Sequence, residues 1–221
     1  MVGGVAMMRN AVGFYWTLPV PWAGFTTLPA QIDDAAAISK TIRYQRDAIR
    51  RHAKSEGFDL VYEQVFLEIE PDRGSDIIRE PLAKVAKICR EHDAVLLYVD
   101  FSQVQGWRSH APMQQWSETH SIQTDPVFPD EIVMDGQMFD PHAHFGAWRE
   151  KQANWMAGKA ERAAKAQARA LGLLSEGLKR PAIADLLNAE NISSPSGKPW
   201  TADNLGKFLA AQKAKGPPGS V

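Results

Sequence analysis

The residues of this chain best suited to hold a charged ligand gather near its end. Between Gly177 and Leu209, Ser196, Lys198, Thr201, Asn204 and Lys207 follow one another on a connector and the start of a helix. All of these can donate to phosphates, and an asparagine can also read a base edge. Upstream, Lys159, Arg162, Lys165 and Arg169 punctuate an alanine-rich run, and the last three join the expected DNA-binding set. The pattern suits a polyanion, and double-stranded DNA is the expected ligand. A small helical domain that binds protein, or that only completes the fold, would show the same spacing.

Other constellations are weaker. His142 and His144 form an H-x-H pair beside Asp140, but no further Cys or His motif completes a site, so no metal is expected. Neither G-x-G-x-x-G nor G-x-x-x-x-G-K-[ST] occurs, and no cofactor is expected. The single Cys89 cannot form an internal disulfide and reads as a buried thiol in a reducing cytoplasm. Trp148 and Trp155, seven apart, share a helix face and suit packing better than base stacking.

Elements must position these residues. Pro181 suits a helix start, with Ile183, Leu186 and Leu187 as its apolar face and Asn191 as its end. Ser193 to Pro199 cannot continue a helix. Thr201 is the expected N-cap of a second helix, whose inner face is Leu205, Phe208 and Leu209, with Trp200 packed between the two. Such a pair resembles a helix-turn-helix.

Earlier in the chain, residues 11–20, 59–69 and 94–100 read as strands, and 38–56 and 76–92 as helices. In the helix at 76–92 the inward residues are expected to be Ile77, Leu82, Val85 and Ile88. Residues 94–100, a continuous apolar run, look like a central parallel strand. Residues 20–37 read as a loop or a short insert, 129–141 as a loop, 111–120 as a short helix, and 122–127 as an edge strand. His144 to about Leu174 reads as one long helix. The alternation predicts an α/β fold with a mainly parallel sheet, followed by an all-α module. The expected domains are 1–141 (α/β), 142–175 (long linker and dimerisation helix), 176–212 (helical DNA-binding domain) and 213–221 (disordered tail).

Charge supports the division. Residues 1–140 hold 13 Lys and Arg against 20 Asp and Glu, whereas 141–221 hold 12 against 6. Only the C-terminal part is suited to meet a polyanion. No run reaches the length of a membrane span, and no signal peptide is expected, so a cytoplasmic protein with no membrane partner is predicted.

The order of these pieces resembles a serine recombinase of the resolvase and invertase family. Gly13-Phe14 is similar to the Gly-Tyr that opens the family's G-Y-x-R-V-S loop. Thr41 to Gly57 resembles its S-x-x-x-Q-R-x-x-I helix, and Arg79-Glu80-Pro81-Leu82 resembles R-P-x-L with the proline displaced by one. Val99-Asp100 falls where the family has L-D-R-L-x-R, and Phe145 to Arg149 opens what looks like its linker helix. Ile183, Ala184, Leu187, Asn188, Pro195, Gly197, Lys198, Trp200 and Thr201 match the helical "recombinase" module of larger members.

The resemblance implies a resolvase-like fold, a homodimer formed through the long helix, and a serine hydroxyl that attacks a DNA phosphate amid several arginines. Here the aligned positions depart from that pattern. Trp16 stands for the loop arginine, Leu18 for the nucleophile and Phe101 for the next arginine, and only Arg79 and Asp100 are retained. Thr17 and Ser39 are the available substitute hydroxyls. The expectation is a catalytically inactive, DNA-binding relative in a bacterium or phage, acting as a regulator or accessory binder, possessing no catalytic residue, and partnering DNA and an active recombinase or other protein. An active recombinase with an unusual nucleophile, and a protein–protein assembly module, are the alternatives.

Overall fold

The computed structural model describes residues 8–69, 75–104 and 111–214. They form two compact units: Met1–Pro19 with Thr27–Ala147, and Val20–Thr26 with Trp148–Val221.

The first unit opens with β1 (Arg9–Thr17), then α1 (Ile32–Ile38), α2 (Lys40–Glu56), β2 (Phe58–Leu67), α3 (Arg79–His92), β3 (Val95–Val99), α4 (Ala111–His120) and β4 (Thr124–Val127). The four strands make one parallel sheet in the order β2-β1-β3-β4. From β1 the chain steps to one side through α2 and then returns to the other side through α3. Right-handed crossovers therefore place α2 and α3 on opposite faces.

Side chains alternate accordingly. Val12 and Phe14 join Leu82, Val85, Ala86 and Cys89 of α3, and Met113 and Trp116 of α4, in one buried cluster. Ala11 and Tyr15 point the other way, toward α2, whose Ile42, Tyr44 and Ile49 are fully buried. Between β1 and β3 the ladder ends at Phe14↔Tyr98. Beyond it, the buried Gln45 of α2 serves as a surrogate strand. It accepts the Trp16 N–H at 3.1 Å and donates to the Trp16 carbonyl at 2.6 Å.

Several local expectations are corrected. Residues 20–37 are not all loop: Asp33 and Asp34 occupy the first turn of α1 and an alanine run completes it, which is strong helix-forming sequence. Residues 129–141 hold a hairpin, β5 (Ile132–Met134) and β6 (Gln137–Phe139). Its two turn residues, Asp135 and Gly136, have φ of 51° and 74°, the primed geometry that Asp-Gly favours. In the 3-10 turn leading into α3 the inward residue is Ile78; Ile77 is exposed. The other expected strands and helices of this unit occur, with ends shifted by a few residues.

The expected single helix at 144–174 is two, α5 (Pro141–Ala157) and α6 (Lys159–Ser175), parted at Gly158. Gly158 keeps a helical bond to Asn154, but its ψ of 3° leaves the helical well.

The second unit adds α7 (Arg180–Ala189) and α8 (Ala202–Ala214). Ala166, Ala170 and Leu173 of α6, Ile183, Ala184 and Leu187 of α7, and Leu205 of α8 close a core with Ile192 and Trp200. Helix α7 ends before Asn191, which adopts a left-handed φ of 55° in the connector. The expected packing of Trp200 is found: its indole N–H donates to the Ile192 carbonyl at 2.7 Å, and its ring lies 5.1 Å from that of Phe208. Asn188 brackets the Trp200 backbone, accepting its N–H at 2.8 Å and donating to its carbonyl at 2.9 Å. No helix among the described residues is long and apolar enough to cross a membrane.

Candidate functional site

Open parallel sheets bind ligands outside the carboxyl ends of their strands, where the winding direction reverses. Here that point lies between β1 and β3. The chain places aromatic rings there. Trp16 meets Phe101 edge-on at 5.4 Å and 83°, and Phe101 meets Phe145 at 4.8 Å and 70°. Tyr44 lies 6.2 Å from Phe101 on its way to Phe139. Leu18 and Phe101 are each 3 % exposed.

The hydroxyls nearby are spoken for or buried. Thr17 is buried at the end of β1. Ser39 is buried as the N-cap of α2, its Oγ accepting the Ile42 N–H at 3.3 Å. Asp100 caps the following 3-10 turn by accepting the Ser102 N–H at 3.0 Å. Arg79 sits exposed at the start of α3 and pairs with Asp76 one turn away at 3.0 Å.

The H-x-H pair is split by its helix. Residues two apart on a helix face different ways. His142 is exposed, while His144 lies 3.2 Å from the Thr41 hydroxyl, and the Asp140 carboxylate caps α5 through the His142 and Ala143 N–H groups. No group of three or more potential metal ligands occurs among the described residues.

Two polar clusters of this unit escaped the sequence reading. Glu68, 1 % exposed, accepts the N–H groups of Ile69 at 2.7 Å and Ser75 at 3.0 Å. The fully buried Tyr15 donates to Glu63 at 2.7 Å, and Arg50 grips the same carboxylate at 2.8 and 3.0 Å. Burial, then the Glu63 charge, holds the Tyr15 phenol far above its ordinary range. An isolated acid in a strand carries no sequence signal for such a role.

In the helical unit the expected DNA-facing residues separate into two groups. Asn204 and Thr201 form a reciprocal cap: Thr201 Oγ1 accepts the Asn204 N–H at 3.2 Å, and Asn204 Oδ1 accepts the Thr201 N–H at 2.8 Å. Asn204 Nδ2 also donates to the Pro199 carbonyl at 2.9 Å. Its amide thus makes one bond within the cap at each end. Arg162 reaches back from α6 across the Gly158 break to α5, with its guanidinium carbon 3.4 Å from the Trp155 ring centroid and Nη2 donating to the Trp155 carbonyl at 2.6 Å. Arg169 holds Glu190 with Nε–Oε2 2.9 Å and Nη2–Oε1 2.5 Å. That hydrogen-bonded pair lowers the Glu190 pKa and raises that of Arg169. Both arginines are committed within the unit.

Lys165, Ser196, Lys198 and Lys207 remain at the surface. Lys207 makes an exposed pair with Asp203 at 2.8 Å, a contact worth little in water. Lys165 and Lys198 have no ion pair among the described residues. Ser196 Oγ lies 3.1 Å from Ser194 Oγ, whose own proton goes to the Lys198 carbonyl at 2.7 Å.

Comparison with known proteins yields no match: no protein-family model, no curated protein and no solved structure aligns significantly with the chain.

Proposed function

We propose that this protein is a DNA-binding member of the serine recombinase family that does not cleave DNA. The observation that carries the reading is the concentration of positive charge in residues 141–221, a net +6 against −7 for residues 1–140, with Lys165, Lys198 and Lys207 at the surface of the helical unit. The absence of cleavage is supported by the Trp16–Phe101 contact at the winding reversal, where the family chemistry calls for guanidinium groups. Helices flanking a parallel sheet suit a resolvase-like α/β unit. Exposed Met156, Leu171 and Leu174 on α5 and α6 support a homodimer formed through these helices. The protein then acts as a regulator or accessory binder on bacterial or phage DNA in the nucleoid, alone or beside an active recombinase.

Mobility shifts on a duplex test this directly. Binding at low salt should fall log-linearly as salt rises, because each neutralised phosphate releases counterions. A suicide substrate should trap no covalent protein–DNA adduct. A lack of low-salt binding would remove the DNA-binding reading. An adduct lost on Thr17→Ala or Ser39→Ala would instead make the protein an active recombinase.

A further inference from the structure

The helical unit carries a groove of about 360 Å³ between the first turn of α6, the α7–α8 connector and α8. Its exposed lining includes Lys159, Ser196 and Lys207, while Trp200 and Phe208 supply an apolar floor. Lys159, in the basic run, is the first residue of α6. It has no ion pair among the described residues. The groove therefore combines an aromatic base with the Lys159 ammonium and a Lys207 ammonium paired only with the exposed Asp203, whereas Arg162 and Arg169 are spent on Trp155 and Glu190.

We infer that this groove seats one strand of duplex DNA, with phosphates on Lys159 and Lys207 and a deoxyribose against Phe208. The inference rests on the DNA-binding reading above and adds which surface does the holding. A sugar–phosphate strand alternates anionic and apolar groups, and the groove presents the complementary alternation. Phosphate contacts of this kind set position and affinity without reading sequence. Ser196 can exchange its weak 3.1 Å contact with Ser194 for a stronger charge-assisted bond to phosphate. Asp203 opposes the arrangement, since it holds Lys207 in an i,i+4 pair.

The test measures binding of the full chain to a labelled duplex, and to one of its single strands, across a salt series. Lys159→Glu and Lys207→Glu should each weaken duplex binding about tenfold and flatten the salt slope by roughly one. Asp203→Asn, by releasing Lys207, should tighten binding. Arg169→Ala should leave it unchanged. All four positions are at the surface, and circular dichroism checks that each variant folds. If the parent chain binds duplex but the two reversals do not matter, the groove is idle and the inference falls while DNA binding stands. If the parent chain binds no duplex, both fall together. Tighter, lysine-dependent binding of the single strand would overturn the assignment to duplex. Reversals that abolish only self-association in sedimentation would assign the groove to the acidic unit of a second copy.

Discussion

Single residues in this chain take their roles from neighbours rather than from type. Asn204 has the chemistry to read adenine, yet its amide is divided between the Thr201 N–H and the Pro199 carbonyl. Freeing it would leave a helix start unsatisfied, so fold stability competes with recognition. Cys89 is a second case. Burial pushes its thiol up from 9.0 to about 11, with Arg90 opposing only in part. The folded pKa lies above the unfolded one, so its contribution to stability is complete below the unfolded value. That contribution is lost as pH rises toward about 11. A thiol reagent at pH 8 should therefore label the native protein far more slowly than the denatured one. Rapid labelling of the native chain would show that the thiol is neither buried nor protonated.

At the scale of elements, the α7–α8 connector is held by a few specific devices. Asn188 grips both backbone groups of Trp200, and Ser194 ties back to Lys198. Gly197 stands at φ +78°, where side chains are strained, and a Cβ there would meet Pro21 backbone atoms at 2.7 and 2.8 Å. The segment Val20–Thr26 belongs to the helical unit, and Trp22 lies 6.2 Å from Trp148 and 6.5 Å from Trp155. Gly197→Ala should then cost about 1–3 kcal/mol from backbone strain, before any cost of moving Pro21. Denaturant unfolding reads the loss, and tryptophan emission should shift red as Trp22 is levered outward. Trp200→Ala should cost more, about 3–5 kcal/mol, because it empties the core that the connector covers.

For the whole molecule, opposite charge on the two halves sorts partners. Residues 141–221 carry the positive excess and 1–140 the negative one. Cations of the α/β unit should then be irrelevant to DNA. Arg90→Glu, at an exposed site of α3, should leave duplex affinity and salt slope unchanged; a slope lowered by one would bring the α/β unit into the interface. The sequence by itself determined the coarse plan, because the signals involved are local. Apolar runs marked β1, β2 and β3, helical spacing marked α2, α3, α7 and α8, and charge marked the basic end. Even α1 and the β5–β6 hairpin were written locally, in the acidic start with its alanine run and in Asp135-Gly136. Only the tertiary structure decided what each polar group does. Arg169 meets Glu190 from 21 residues away and Tyr15 meets Glu63 from 48. Lys159 comes beside Lys207 only because α6 and α8 enclose the same core. Periodicity reports which face of an element is buried, whereas the partner of a charge depends on how distant elements meet, and no local pattern encodes that.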